Sequence, residues 1–226
     1  MLIIIAYMLI LDTILNVIFP VNCLSCGKKG SELCLECLAD SPVAERESVN
    51  WVFPLFDYRH PAIKKSIWLL KYKGKRKLAN IFAEVLYDKI MEELSELSVL
   101  KNFREPVLIP IPLSKKRHRE RGFNQAELIC RELIKINNSR NGIDWSFEKN
   151  VLVKIKETEH QANIKERSDR LKNLKNSFSI KNPEFVKNKN IILIDDVLTT
   201  GTTLTEAKKI LKQFGAKKII AFTVAH

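Results

Sequence analysis

"NIILIDDVLTTGTTL", residues 190–204, drives four apolar residues, Ile191 to Ile194, into two adjacent aspartates, Asp195 and Asp196. After Val197 and Leu198 come Thr199, Thr200, Gly201, Thr202 and Thr203. The unbroken apolar run fits a strand buried on both faces of a parallel sheet. The acid pair then marks the carboxyl end of that strand, which is where open parallel sheets bind their ligands. Helical periodicity resumes over 203–214, so "VLTTGTT" is a loop leading into a helix start.

A helix start preceded by small residues offers backbone N–H groups to an anion. Gly201 lets the backbone bend and approach a ligand closely. The threonine hydroxyls add hydrogen bonds, and the two carboxylates can accept from hydroxyls or hold a hydrated Mg2+. A sugar phosphate, with an anionic end and a diol, meets both halves of the segment. The G-x-x-x-x-G-K and G-x-G-x-x-G nucleotide patterns are absent here. The competing structural reading is an Asp–Asp turn capped by threonine.

Outward from this segment, apolar runs alternate with helical patterns. Residues 51–58, 107–113, 151–156, 191–196 and 218–225 read as strands; 61–72, 77–98, 123–137 and 203–214 read as helices. That alternation predicts βαβ units and an α/β domain built on a parallel sheet. The polar stretch 38–50 separates residues 1–45 from a domain spanning 50–226.

The chain has 226 residues and a net charge of +12. Residues 1–50 hold three basic and six acidic residues, so 51–226 carries a net +15. A basic body attracts polyanions such as nucleic acid, phosphorylated metabolites or anionic lipid, although a merely lysine-rich surface would look the same. "MLIIIAYMLIL" opens the chain, but Asp12, Thr13 and Asn16 interrupt the run short of the ~20 residues that a spanning helix needs. Integral membrane insertion is therefore not expected. No Lys or Arg precedes residue 28, as a secretory signal would require. The reading is a short amphipathic helix over roughly 9–18, with Met8 as an alternative start.

Cys23, Cys26, Cys34 and Cys37 spell C-x2-C-x7-C-x2-C. Two such knuckles can place four thiolates around one tetrahedral Zn2+. Disulfides are disfavoured without an export signal, and a redox pair needs no duplicate. Four ligands close a metal site, so the zinc is expected to be structural. Cys130 falls at helical spacing in "NQAELICRELI" and reads as core.

"IILIDDVLTTGTTL" resembles the phosphoribosyl pyrophosphate (PRPP) motif of type I phosphoribosyltransferases. Together with "IFPVNCLSCG" (18–27), "LKYKG" (70–74), "IPIPLSKKRHRERGFNQAELI" (109–129) and the weaker "RLKNLKNSF" (170–178), it makes the chain resemble the ComF family. The resemblance implies a type I phosphoribosyltransferase fold, a parallel sheet flanked by helices, with a small N-terminal zinc-binding domain. It implies that Asp195 and Asp196 meet the ribose hydroxyls, directly or through Mg2+, and that Thr199, Thr200, Gly201, Thr202 and Thr203 hold the 5′-phosphate. It also implies a cytoplasmic protein at the inner face of the membrane, acting in DNA uptake during natural transformation with a helicase-like partner. The residues before Met8 depart from the family pattern, and "HQANIKERSDR" (160–170) matches it loosely.

Two basic stretches extend this reading. "SKKRHRERG" (114–122) reads as a loop at a strand's carboxyl end, where Lys115, Arg117, Arg119 and Arg121 are placed to meet pyrophosphate or DNA. In "KKSIWLLKYKGKRK" (64–77), Lys71 and Lys73 are candidates for the same contacts. Trp68 and Tyr72 share a helix face and read as core ahead of base stacking. Across 157–178, where phosphoribosyltransferases carry a mobile hood loop, Arg167 and Arg170 are candidates for phosphate. His118 and His160 read as loop residues without a catalytic role. Two alternatives stay open beside a competence protein that binds PRPP: a metabolic phosphoribosyltransferase, and a non-catalytic adaptor for single-stranded DNA.

Overall fold

The computed structural model describes residues 21–45, 50–155 and 177–226. The expected helix over 9–18, most of the hood stretch, Arg167, Arg170 and His160 lie outside the described residues.

Five parallel strands form the main sheet in the order β1-β7-β6-β2-β3: β1 (Val52–Phe56), β7 (Lys218–Ala225), β6 (Asn190–Val197), β2 (Val107–Pro110) and β3 (Ser146–Phe147). β6 is central, and Ile191 to Ile194 are each 0% exposed. Alternation along it divides the core. Ile192 and Ile194 face α2 (Pro61–Tyr72), α3 (Lys77–Lys101) and α5 (Gln125–Ser139), together with Phe222, Ile67 and Leu86. Ile191 and Leu193 face α6 (Thr202–Gln213), with Leu204 and Leu211. Each fully buried Ile, Leu or Phe contributes about 1.5–3 kcal/mol, so both layers are held by apolar burial.

α6 links β6 to β7 on one face, while α5, which follows β2, packs on the other. The helices flanking β6 thus part to opposite faces, and a crevice opens beyond the carboxyl ends of β6 and β2. β1 lies at the sheet edge, which suits the strand proline Pro54. Residues 42–45 partly cover that edge, Ala44 N–H donating to the Leu55 carbonyl at 3.0 Å. The cysteine-bearing segment, with α1 (Leu35–Ala39), inserts Cys23, Leu33 and Leu38 into the same core as α2 and α3.

Two expectations need correction. Of the expected strand 151–156, the described residues 151–155 do not join the parallel sheet. β4 (Leu152–Lys154) pairs antiparallel with β5 (Phe178–Ile180) in a separate ribbon whose Leu152 and Phe178 pack on the α6 side. Nor is 114–122 a loop. Lys115–Arg121 form α4, capped by the Ser114 hydroxyl, which accepts from Arg117 N–H at 3.4 Å, and ended by Gly122 at φ 74°. His118 is accordingly an exposed helical residue.

Candidate functional site

A cleft of about 350 Å³ lies at the carboxyl ends of β6 and β2. Asp195, Asp196, Thr199, Gly201 and Thr203 line it from β6 and the loop after it. Lys71 enters from α2, Arg117 and Arg121 from α4, and Lys154 from the ribbon. The strand's two-residue period sends the acids to opposite sides. Asp196 turns toward α2, where Lys71 Nζ lies 2.7 Å from its Oδ1. Asp195 lies on the side of Lys154, and its Oδ1 accepts from Asp196 N–H at 2.8 Å. Burial, reinforced by the Asp196 charge, pushes the Asp195 carboxyl up to about 7, against the opposing pull of the Asp196 N–H, Lys71 and Lys154.

Gly201 caps α6 at φ 69°, in the left-handed region. The helix bonds begin with Thr205 N–H donating to the Gly201 carbonyl at 2.9 Å. Gly201, Thr203 and Leu204 of this helix start line the cleft, and a helix N-terminus in that position suits an anion. Thr200 and Thr202 do not line the cleft; their hydroxyls lie 2.7 Å apart and brace the loop from behind.

On α4, Arg117 and Arg121 are one helical turn apart and share the cleft face, whereas Lys115 and Arg119 point to solvent. Arg121 is held firmly. It donates to Gln125 Oε1 at 2.9 Å and to the Tyr72 hydroxyl at 3.2 Å, and its guanidinium lies 5.0 Å from the Tyr72 ring centre. Lys73 stays outside the cleft, 5.5 Å from the Trp68 ring centre.

Trp68 and Tyr72 are not core. They are 39% and 50% exposed, with ring centres 6.2 Å apart. The buried stripe of α2 is Ile63, Ser66, Ile67 and Leu70, which turns Trp68 and Tyr72 away from the sheet. Lys65 also lies over Trp68, at 4.8 Å.

Sequence reading missed Tyr58, Asn124 and Lys154 as cleft residues. Asn124 had a legible signal, an Asn just before a helical pattern. It caps α5 through Ala126 N–H at 3.0 Å and ties back to the Ile111 carbonyl at 2.9 Å. Lys154 gave none, because only the tertiary position of the ribbon brings it to the acids.

The second candidate site is the cysteine cluster. The sulfur atoms of Cys23, Cys26, Cys34 and Cys37 all lie within 4.8 Å of one another, Cys26 and Cys34 at 3.7 Å. Tetrahedral Zn–S bonds near 2.3 Å require sulfur separations of about 3.8 Å, so the residues fit zinc. Cys34 N–H donates to the Cys23 sulfur at 3.4 Å and Cys37 N–H to the Cys34 sulfur at 3.5 Å, the amide support a thiolate needs. Cys130 is 0% exposed, as expected of a core thiol.

Among the described residues, no helix is long and apolar enough to cross a membrane.

Residues 123–226 match the phosphoribosyl transferase domain family. The chain is 30% identical over 208 residues to competence protein ComFC of Streptococcus pneumoniae, covering 90% of this chain and 80% of that one. It is 29% identical over 212 residues to competence protein F of Haemophilus influenzae, covering 88% and 83%. It is 27% identical over 200 residues to the DNA utilization protein YhgH of Escherichia coli O6:H1, covering 87% and 80%.

Proposed function

The chain belongs to the ComF family, and from that premise we propose that it acts in DNA uptake during natural transformation, binding PRPP or a related phosphoribosyl ligand in the cleft at the end of β6. One observation carries the reading: two acids, a helix-start loop of small residues and four cationic side chains line a single cleft. In it, Asp195 and Asp196 receive the ribose diol, and the loop 199–203 holds the 5′-phosphate. Arg117, Arg121, Lys71 and Lys154 offset the charge of the pyrophosphate. The paired carboxylates are hard oxygen donors and suit Mg2+, which would neutralise pyrophosphate there. Of the basic residues named for this role, Lys115, Arg119 and Lys73 lie outside the cleft and suit a polyanion on the surface.

Calorimetric titration with PRPP, with and without Mg2+, tests the reading on wild type and on the Asp195→Asn/Asp196→Asn double variant. Wild type binds and the double variant loses at least tenfold in affinity. Absence of binding by wild type removes the ligand; equal binding by the variant removes the role of the acids.

A second reading, an adaptor for single-stranded DNA on the same fold, is favoured by the exposed Trp68–Tyr72 pair among Lys65, Lys73 and Arg121. Bases stack on exposed aromatic rings, and nearby cations meet the backbone. In that case Asp195→Asn/Asp196→Asn leaves DNA binding intact while transformation is retained. A partner helicase and a position at the inner membrane face belong to the competence role.

A further inference from the structure

The contact between Lys71 and Asp196 joins the middle of the candidate site, and both partners are shielded. Their side chains are 16% and 13% exposed and lie 2.7 Å apart. A surface pair such as Lys28–Glu36 exposes 61% and 72%. Water screens the surface pair and leaves it weak; it screens the buried one far less. The backbone that carries the lysine is fixed, because α2 is anchored by Ile67 and Leu70, each 1% exposed. The next residue, Tyr72, is tied across to Arg121 at 3.2 Å.

Mg2+ binds carboxylate oxygens at about 2.0–2.1 Å. An ammonium 2.7 Å from the Asp196 oxygen and a dication bonded to the same carboxylate repel one another strongly where screening is poor. They are alternatives at that acid.

We infer that Lys71 is a resident cation on the acid pair, which withholds Asp196 from divalent metal until a ligand bearing phosphate draws the ammonium away. This rests on the reading that Asp195 and Asp196 form the metal and ribose side of the phosphoribosyl site. Lys71 thereby gains a role distinct from that of the cleft arginines. It neutralises the acids in the ligand-free protein and sets the order of loading, with metal arriving together with the phosphorylated ligand. Arg117 and Arg121 lie on α4 across the cleft, where they add positive charge while Arg121 is engaged by Gln125 and the Tyr72 hydroxyl.

Mn2+ serves as the probe, its free aqua ion being counted by electron paramagnetic resonance. The proteins are titrated with their cysteine clusters already loaded with zinc and with no phosphorylated ligand present. Lys71→Met, and equally Lys71→Gln, binds Mn2+ about tenfold or more tightly than wild type, because one positive charge beside the acids is gone. Lys71→Arg keeps the charge and binds like wild type. Adding Asp196→Asn to Lys71→Met abolishes the gain. Mn2+ binding by both neutral variants that is unchanged, weaker or too weak to measure overturns the inference. A gain that survives Asp196→Asn puts the metal elsewhere, and then the acid-pair reading beneath the inference fails with it.

Discussion

Asp195→Asn should raise the stability of the ligand-free protein at alkaline pH and lose that advantage in acid. The carboxyl is pushed from 3.8 up to about 7 by burial and by the Asp196 charge. Native protein therefore keeps a proton that unfolded chain releases. Stability from this group is fully present below about pH 4 and is lost as pH rises through about 7. A shift of about three units at 1.36 kcal/mol per unit comes to about 4 kcal/mol, and more than half of it falls between pH 5 and pH 8. For a chain of this length that is roughly 5–10 °C in Tm. Asparagine keeps the size and can still accept the Asp196 N–H, so the difference isolates the charge. Thermal unfolding of both proteins, followed by circular dichroism between pH 5 and pH 8 without metal or ligand, reads it out. The variant minus wild-type Tm should climb by that amount across the range. A difference that stays flat would refute the reasoning. Asp196→Asn supplies a check, since removing the like charge should move the climb to lower pH.

Gly201→Ala meets no steric obstacle, the nearest atom lying 3.7 Å from the added carbon, but it forces an L-residue to φ 69°. Denaturant unfolding should show a loss of about 1 kcal/mol, and calorimetry a weaker grip on PRPP. Elemental analysis should find one zinc per chain in wild type, and Cys34→Ser should remove it. The substitution should also release Leu33 and Leu38 from the core, costing roughly 4 kcal/mol at about 2 kcal/mol each, and open residues 21–45 to trypsin. Trp68→Ala should cost less in Tm than a core substitution such as Ile67→Ala, because the residue is 39% exposed and Ile67 1%. In fluorescence anisotropy it should weaken single-stranded DNA binding roughly tenfold, and the remaining affinity should fall steeply with salt.

Much of this architecture was legible because it is written in local periodicity. The helix at 61–72 and the strand at 218–225 fall where their patterns place them, and β6 extends the expected strand by one residue at each end. The acid pair and threonine loop were readable for the same reason, since strand, turn and helix start are contiguous. α4 was missed because five basic residues gave it no apolar stripe, although Ser114 and Gly122 carried its cap signals. Trp68 and Tyr72 do share a helix face, but the buried face is set by Ile63, Ile67 and Leu70, roughly 150° away around the helix at 3.6 residues per turn. Lys154 at the acids, Lys71 on Asp196 and Tyr72 on Arg121 join residues far apart in the chain. Such contacts depend on packing that no local pattern encodes.

The central claim is that the acid pair and the loop after it form one phosphoribosyl site. A crystal structure of the protein grown with PRPP and Mg2+ tests it most directly. The account predicts the ribose diol at Asp195 and Asp196, the 5′-phosphate on the amides of 199–203, and Lys71 moved off Asp196 toward phosphate oxygen. Ligand density elsewhere on the protein, with Lys71 still on Asp196, would contradict it.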